Sequence, residues 1–94
     1  MGHFEWDPAK NAANIEKHGI SFAEAVTIFD GPVLSRLDDS SDEPREKSFG
    51  FIGGVVVACV IHTDRDDKIR IISARRATAN ERKLFHAYLK KAIS

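Results

Sequence analysis

A chain of 94 residues, 43% hydrophobic and 30% charged, has the make-up of one globular domain over residues 1–94, enough for a modest core but not for a catalytic plus a regulatory domain. Its 14 basic side chains balance its 14 acidic ones unevenly: residues 1–64 hold five Lys or Arg against eleven Asp or Glu, and residues 65–94 hold nine against three. A basic region supplied by the C-terminal third is therefore expected beside an acidic remainder. The absence of a membrane-length apolar run or signal-peptide layout, and a single cysteine, Cys59, that excludes an internal disulfide, point to a cytoplasmic protein with no membrane partner.

In chain order, Phe4-Glu5-Trp6 alternates like a short strand. Asp7-Pro8 then reads as an N-cap followed by proline at the first helical position, predicting a helix over 8–18 that stops at Gly19. Ser21-Phe22-Ala23-Glu24 is a capping box, and Phe22, Ala25, Val26 and Phe29 form the apolar stripe of a second helix over 22–30. Residues 33–37 read as a strand, and the acidic, proline-containing segment 38–46 as an exposed loop. Residues 49–52 and 55–63 make a hairpin turned by Gly53-Gly54, the second arm apolar on both faces and so an interior strand that buries Cys59. A loop over 64–67 leads into the strand 68–75, and Thr78-Ala79-Asn80-Glu81, a second capping box, opens a helix over 78–92. On that helix Leu84, Phe85, Tyr88, Leu89 and Ala92 form the expected buried stripe, with Arg82, His86 and Lys90 opposite.

The segment Lys-Ile-Arg-Ile-Ile-Ser-Ala-Arg-Arg-Ala-Thr over 68–78 carries the strongest chemical signal. Strand alternation places Arg70 and Arg76 on one face and Arg75 on the other, so Arg75 and Arg76 cannot both grip one phosphate unless the strand ends or bulges between them. Guanidinium suits phosphate because its planar fork of donors matches phosphate oxygens and stays charged. His62 lies opposite Ile69 and shares the face of Arg75 if the 64–67 loop is regular; a bulge puts it with Arg70 and Arg76 instead. No zinc-type spacing, glycine-rich phosphate loop or G-x-S-x-G elbow is present, so no metal or other cofactor is expected.

The blocks Phe4 to Lys10, Asn14 to Ala25 (with Lys17-His18-Gly19-Ile20-Ser21-Phe22), His62-Thr63 and Arg70 to Ala77 closely resemble the BrnT family, the toxins of bacterial type II toxin–antitoxin systems. The resemblance implies an α+β, RelE-like fold with two N-terminal helices and a C-terminal helix packed on an antiparallel β-sheet. It implies a metal-independent ribonuclease that inhibits growth by cleaving RNA. It also implies a cognate BrnA-like, DNA-binding antitoxin that neutralises the toxin, with promoter DNA bound only through their complex. Family members usually carry arginine just before the aromatic of the 49–52 strand, where this chain has Ser48 after Lys47. On this reading Arg75 and Arg76 hold phosphate charge, His62 is acid or base, and Lys47 and Glu46 support it, while Arg70, Arg82, His86 and Lys90 bind RNA. The other reading from the same residues is a non-catalytic module that acts with an antitoxin in promoter binding and autoregulation.

Overall fold

The computed structural model describes residues 3–39 and 42–93, with the side chain of residue 93 left aside. The chain order is β1 (His3–Glu5), α1 (Pro8–His18), α2 (Phe22–Ala25), a 3-10 segment (Val26–Asp30), β2 (Leu34–Asp38), β3 (Arg45–Ile52), β4 (Val56–Arg65), β5 (Lys68–Arg76) and α3 (Ala79–Ile93). The strands form a single five-stranded sheet in the order β1-β5-β4-β3-β2, antiparallel except for the parallel β1–β5 edge. This is an α+β fold. No helix among the described residues is long and apolar enough to cross a membrane.

Local chemistry accounts for the first helix. The Asp7 carboxylate accepts the Ala9 N–H at 2.8 Å, Pro8 starts the helix, and Gly19 closes it in the left-handed conformation at φ 71°. The second helix is the first correction. Its capping box forms as expected, with Ser21 and Glu24 exchanging hydrogen bonds of 3.0 Å, but after one turn the backbone tightens into the 3-10 segment. Three consecutive β-branched residues, Val26, Thr27 and Ile28, disfavour α-helix, and the Thr27 hydroxyl donates back to the Glu24 carbonyl at 2.6 Å.

Two apolar clusters divide the core by sheet face. On one face Ile20, Phe22, Ala25 and Ile28 pack on Ala58, Val60, Ile71 and Ala74; on the other, Phe85 of α3 packs with Phe49, Val57, Cys59 and Ala77. Cys59 is fully buried, and burial pushes its thiol up to about 11, so it is chemically inert. The join between the first helices and the sheet is a polar bracket. Buried Asn14 donates to the carbonyls of Ala74 at 2.8 Å and Ile20 at 2.9 Å, and accepts the Ala74 N–H at 3.1 Å. Because β1 covers β5 only at residues 68–70, that side chain satisfies backbone groups on the rest of the β5 edge.

Three register features decide which side chains meet. First, β3 begins at Arg45, so part of the expected 38–46 loop is strand. Second, β4 and β5 are joined by a tight turn at Asp66-Asp67, with Asp66 at φ 46°, rather than by the loop 64–67; His62 consequently faces Ile71 and not Ile69. Third, a bulge follows, because Ile61 pairs with Ser73 and His62 with Ile71, which leaves Ile72 extra on β5. That extra residue inverts the alternation downstream of it and brings Arg70 to the face of Arg75, not Arg76.

Candidate functional site

The α3 helix starts beside the end of β5 and covers only one half of its sheet face. Directly opposed residues share a face, so that face reads across the strands in rows: Leu34, Phe49, Cys59 and Arg75, then Arg36, Lys47, Ile61 and Ser73, then Asp38 and Arg45. The first row holds most of the packing under α3, and the next two are open. A shallow basin of about 360 Å³ is lined there by Asp38, Arg45, Lys47, Ile61, Ser73 and Arg75. Arg45 also lines an adjoining basin of about 240 Å³ with Lys10, Glu43, Thr63, Arg65, Arg70 and Ile72. The open half-sheet thus presents a row of cations drawn from several strands. The sequence-based expectation of a basic region from the C-terminal third alone is corrected, since Arg45 and Lys47 stand beside Arg70 and Arg75.

Arg75 is the most constrained of these cations. Its Nη1 and Nη2 donate to the two carboxylate oxygens of Glu81 at 2.7 and 3.0 Å, and Nη1 also donates to the Arg76 carbonyl at 3.3 Å. Glu81 is itself fixed by the helix-opening box, accepting the Thr78 N–H at 2.8 Å. The Arg75 bond is the main cause that holds the Glu81 carboxyl down at about 2, with the Thr78 backbone bond assisting. A guanidinium has five N–H donors. The three contacts leave Nε–H and one Nη2–H of Arg75 available, adjacent donors suited to two oxygens of one phosphate.

The opposite face carries a different chemistry. His62 is 2% exposed and packs edge-on against Phe29, with ring centroids 5.4 Å apart. Its Nε2 lies 2.7 Å from the hydroxyl of fully buried Ser48, which in turn meets the Ser35 hydroxyl at 2.7 Å; its Nδ1 lies 2.8 Å from Asp64 Oδ1. Glu46 sits directly across from His62 and hydrogen-bonds Asp64, which together with burial raises its carboxyl above the ordinary range. A serine, a histidine and an aspartate in line resemble a nucleophilic relay. Here the hydroxyl is sealed beneath Phe29 and the 3-10 segment, so no substrate reaches it. Ser48, where the resemblance led to the expectation of arginine, points to this buried face. Its neighbours Arg45 and Lys47 keep the open face basic.

The expected site residues therefore separate. Arg75, Lys47 and Arg70 share the open face, whereas His62 and Glu46 lie behind it. Arg76 pairs with Ala58 and so projects to the His62 side, exposed to solvent. On α3, Arg82 donates to the Ala77 carbonyl at 3.0 Å, His86 lies against Phe51 with ring centroids 6.3 Å apart, and Lys90 is exposed; none of the three lines either basin. The expected buried stripe of α3 is narrower than its spacing implies, since Leu84 is 37% exposed and Ala92 is also exposed. Sequence reasoning missed Arg45, Asp38, Arg65 and the Glu81 tether. Arg45 and Lys47 do alternate as same-face residues, a signal legible only if β3 is extended back to Arg45, directly after Pro44.

A half-covered, mostly antiparallel sheet with a tethered arginine and a cationic open face defines an α+β protein whose open face is electrostatically suited to anionic groups. The family model described as "Ribonuclease toxin, BrnT, of type II toxin-antitoxin system" matches residues 6–81, and the chain belongs to that family. In fold it is similar to the Brucella abortus ribonuclease toxin BrnT, solved at 1.1 Å, with a TM-score of 0.64 and 23% identity over 83% of this chain and 99% of that one. A search of curated proteins gives no match.

Proposed function

We propose that this toxin cleaves RNA on the open half of the sheet, without a metal ion, and that a BrnA-like, DNA-binding antitoxin silences it by covering that face, promoter DNA being bound only through the complex. The observation that carries the reading is the convergence of Arg45, Lys47 and Arg75 on one basin with Asp38 at its rim. In such a reaction the 2′-hydroxyl attacks its own phosphate and expels the 5′-oxygen, leaving a cyclic phosphate and a free 5′-hydroxyl. Arg75 holds two phosphate oxygens through Nε and Nη2 while Glu81 keeps its plane fixed. Asp38, the carboxylate in the basin, receives the 2′-hydroxyl proton, and the Lys47 ammonium gives a proton to the leaving oxygen. Proton transfer of this kind contributes roughly 10²–10⁴-fold, and a preorganised charged donor at the developing phosphorane about 3–4 kcal/mol. Arg70 and Arg65 extend the cationic track along the strand for flanking phosphates. His62 and Glu46 act from behind, by holding β3 against β4.

One observation favours the non-catalytic reading: none of the described histidines lines either basin, so acid–base work falls to Lys47 and Asp38. The deciding experiment incubates purified toxin with RNA in EDTA and repeats it with the co-expressed neighbouring antitoxin. Cleavage in EDTA that ends in a cyclic phosphate and stops on antitoxin addition is the expected outcome. Intact RNA combined with tight antitoxin binding establishes the interaction module instead.

A further inference from the structure

We propose that Glu46, His62 and Asp64 form a binding site for one divalent transition-metal ion of the Zn²⁺ class, on the sheet face opposite the cationic basins. The three side chains offer one imidazole nitrogen and two carboxylate oxygens, all within 4.8 Å of one another. Zinc binds nitrogen and carboxylate oxygen at about 2.0–2.2 Å, so tetrahedral ligand atoms sit about 3.3–3.6 Å apart. The His62 Nδ1 and Asp64 Oδ1 lie 2.8 Å apart, so a small outward rotation of the half-exposed Asp64 side chain reaches that spacing, and Glu46 comes from the adjacent strand directly across from His62.

The surroundings separate this cluster from an ordinary patch of surface acids. The imidazole side chain is 3% exposed and the Asp64 side chain 52%, so the nitrogen is rigidly held while the other side stays open for an ion and its water. The ring is oriented from behind at Nε2 by Ser48, and Ser48 by Ser35, which is the outer hydrogen-bonding partner that metal-binding histidines ordinarily have. Because the Ser48 hydroxyl can accept as well as donate, Nε2–H can face it and leave the Nδ1 lone pair directed at the carboxylates. Neither Glu46 nor Asp64 has a Lys or Arg ion pair among the described residues. The two carboxylates instead lie close to each other, and that contact together with burial raises the Glu46 carboxyl. A cation between them replaces that carboxyl–carboxyl contact with two attractive ones. One imidazole among the donors selects for zinc-like ions over Mg²⁺ and Ca²⁺, which prefer oxygen alone. Bound there, the ion clamps β3 to β4 immediately behind Lys47.

The test uses the full chain stripped with EDTA and then dialysed, titrated with ZnCl₂ by calorimetry and followed by thermal melting. One Zn²⁺ per chain, a raised Tm with Zn²⁺ and none with Mg²⁺, and a moved His62 Nδ1 resonance are expected. Asp64→Asn and Glu46→Gln, near-isosteric changes at partly exposed positions whose fold is checked by circular dichroism, should each weaken binding by at least about tenfold. Two results overturn the proposal: no heat or Tm change up to about 1 mM Zn²⁺, the weak end of specific affinity, or unchanged binding when both substitutions are combined, which places the ion elsewhere on the protein.

Discussion

Replacing Glu81 with Gln tests whether the Arg75 tether is the electrostatic anchor of the open face. Glu81 has a carboxyl held at about 2 against an ordinary 4.5, the Arg75 bond being the largest cause. At 1.36 kcal/mol per pH unit that gap sets an upper limit of about 3 kcal/mol. The side chains of Arg75 and Glu81 are 35% and 18% exposed, so solvent screening reduces the expected contribution to about 1–2 kcal/mol. The sign follows from the depressed value: the folded protein favours the ionised form, so the stabilisation is complete above about 4.5 and is lost as pH falls through about 2. Urea unfolding of the parent and Glu81→Gln proteins between pH 7 and pH 2, roughly the span in which native carboxylates protonate, measures the difference directly. The variant should be less stable by about 1–2 kcal/mol at neutral pH, with the two curves converging in acid. Comparing variant with parent cancels the opposite trend of Glu46, whose raised carboxyl destabilises the fold as it ionises. A stability difference that stays constant from neutral to acid pH refutes the tether as an ionic interaction.

Two further predictions concern the scaffold. Asn14→Ala removes the bonds to Ala74 N–H, Ala74 C=O and Ile20 C=O; at about 0.5–1.5 kcal/mol each it should cost about 2–4 kcal/mol in urea unfolding. A loss under about 1 kcal/mol would mean that water takes over the bracket. Gly50→Ala should cost about 1–3 kcal/mol, because a Cβ there meets the Ile28 Cβ at 2.8 Å and the Ile28 carbonyl oxygen at 3.2 Å; an unchanged melting temperature would show that the 3-10 segment lifts away freely.

The elements most legible in the sequence are those specified by local chemistry. Asp7, Gly19, Ser21 with Glu24 and Thr78 with Glu81 each satisfy orphaned helix-end groups through neighbours a few residues away, so spacing suffices to find them. Cys59 and its strand were legible because an apolar run on both faces has few alternatives to an interior position. What was hidden is parity. The tight turn at Asp66 slides the register by two residues and leaves the faces as they were, whereas the one extra residue at Ile72 inverts the alternation and puts His62 behind the sheet and Arg70 before it, a shift that composition does not record. The start of β3 was masked for a related reason: Arg45 and Glu46 have loop-like polarity, but the ladder with Asp38, Leu37 and His62 recruits them. Arg75 and Arg76 do fall on opposite faces as alternation predicted, and the surprise is which of them has the company of Arg70.

The measurement closest to the central claim is RNA cleavage by four proteins at a temperature well below their melting points: the parent, Arg75→Lys, Lys47→Gln and Arg76→Ala. The open-face account predicts that Arg75→Lys and Lys47→Gln each lower the cleavage rate by about 100-fold or more, since a point charge cannot reproduce the bidentate grip and a neutral amide cannot supply the proton. Arg76→Ala, on the far face, should stay within a few-fold of the parent. Loss of cleavage in Arg76→Ala, with Arg75→Lys and Lys47→Gln both fully active, would place the chemistry on the His62 side of the sheet and contradict the account.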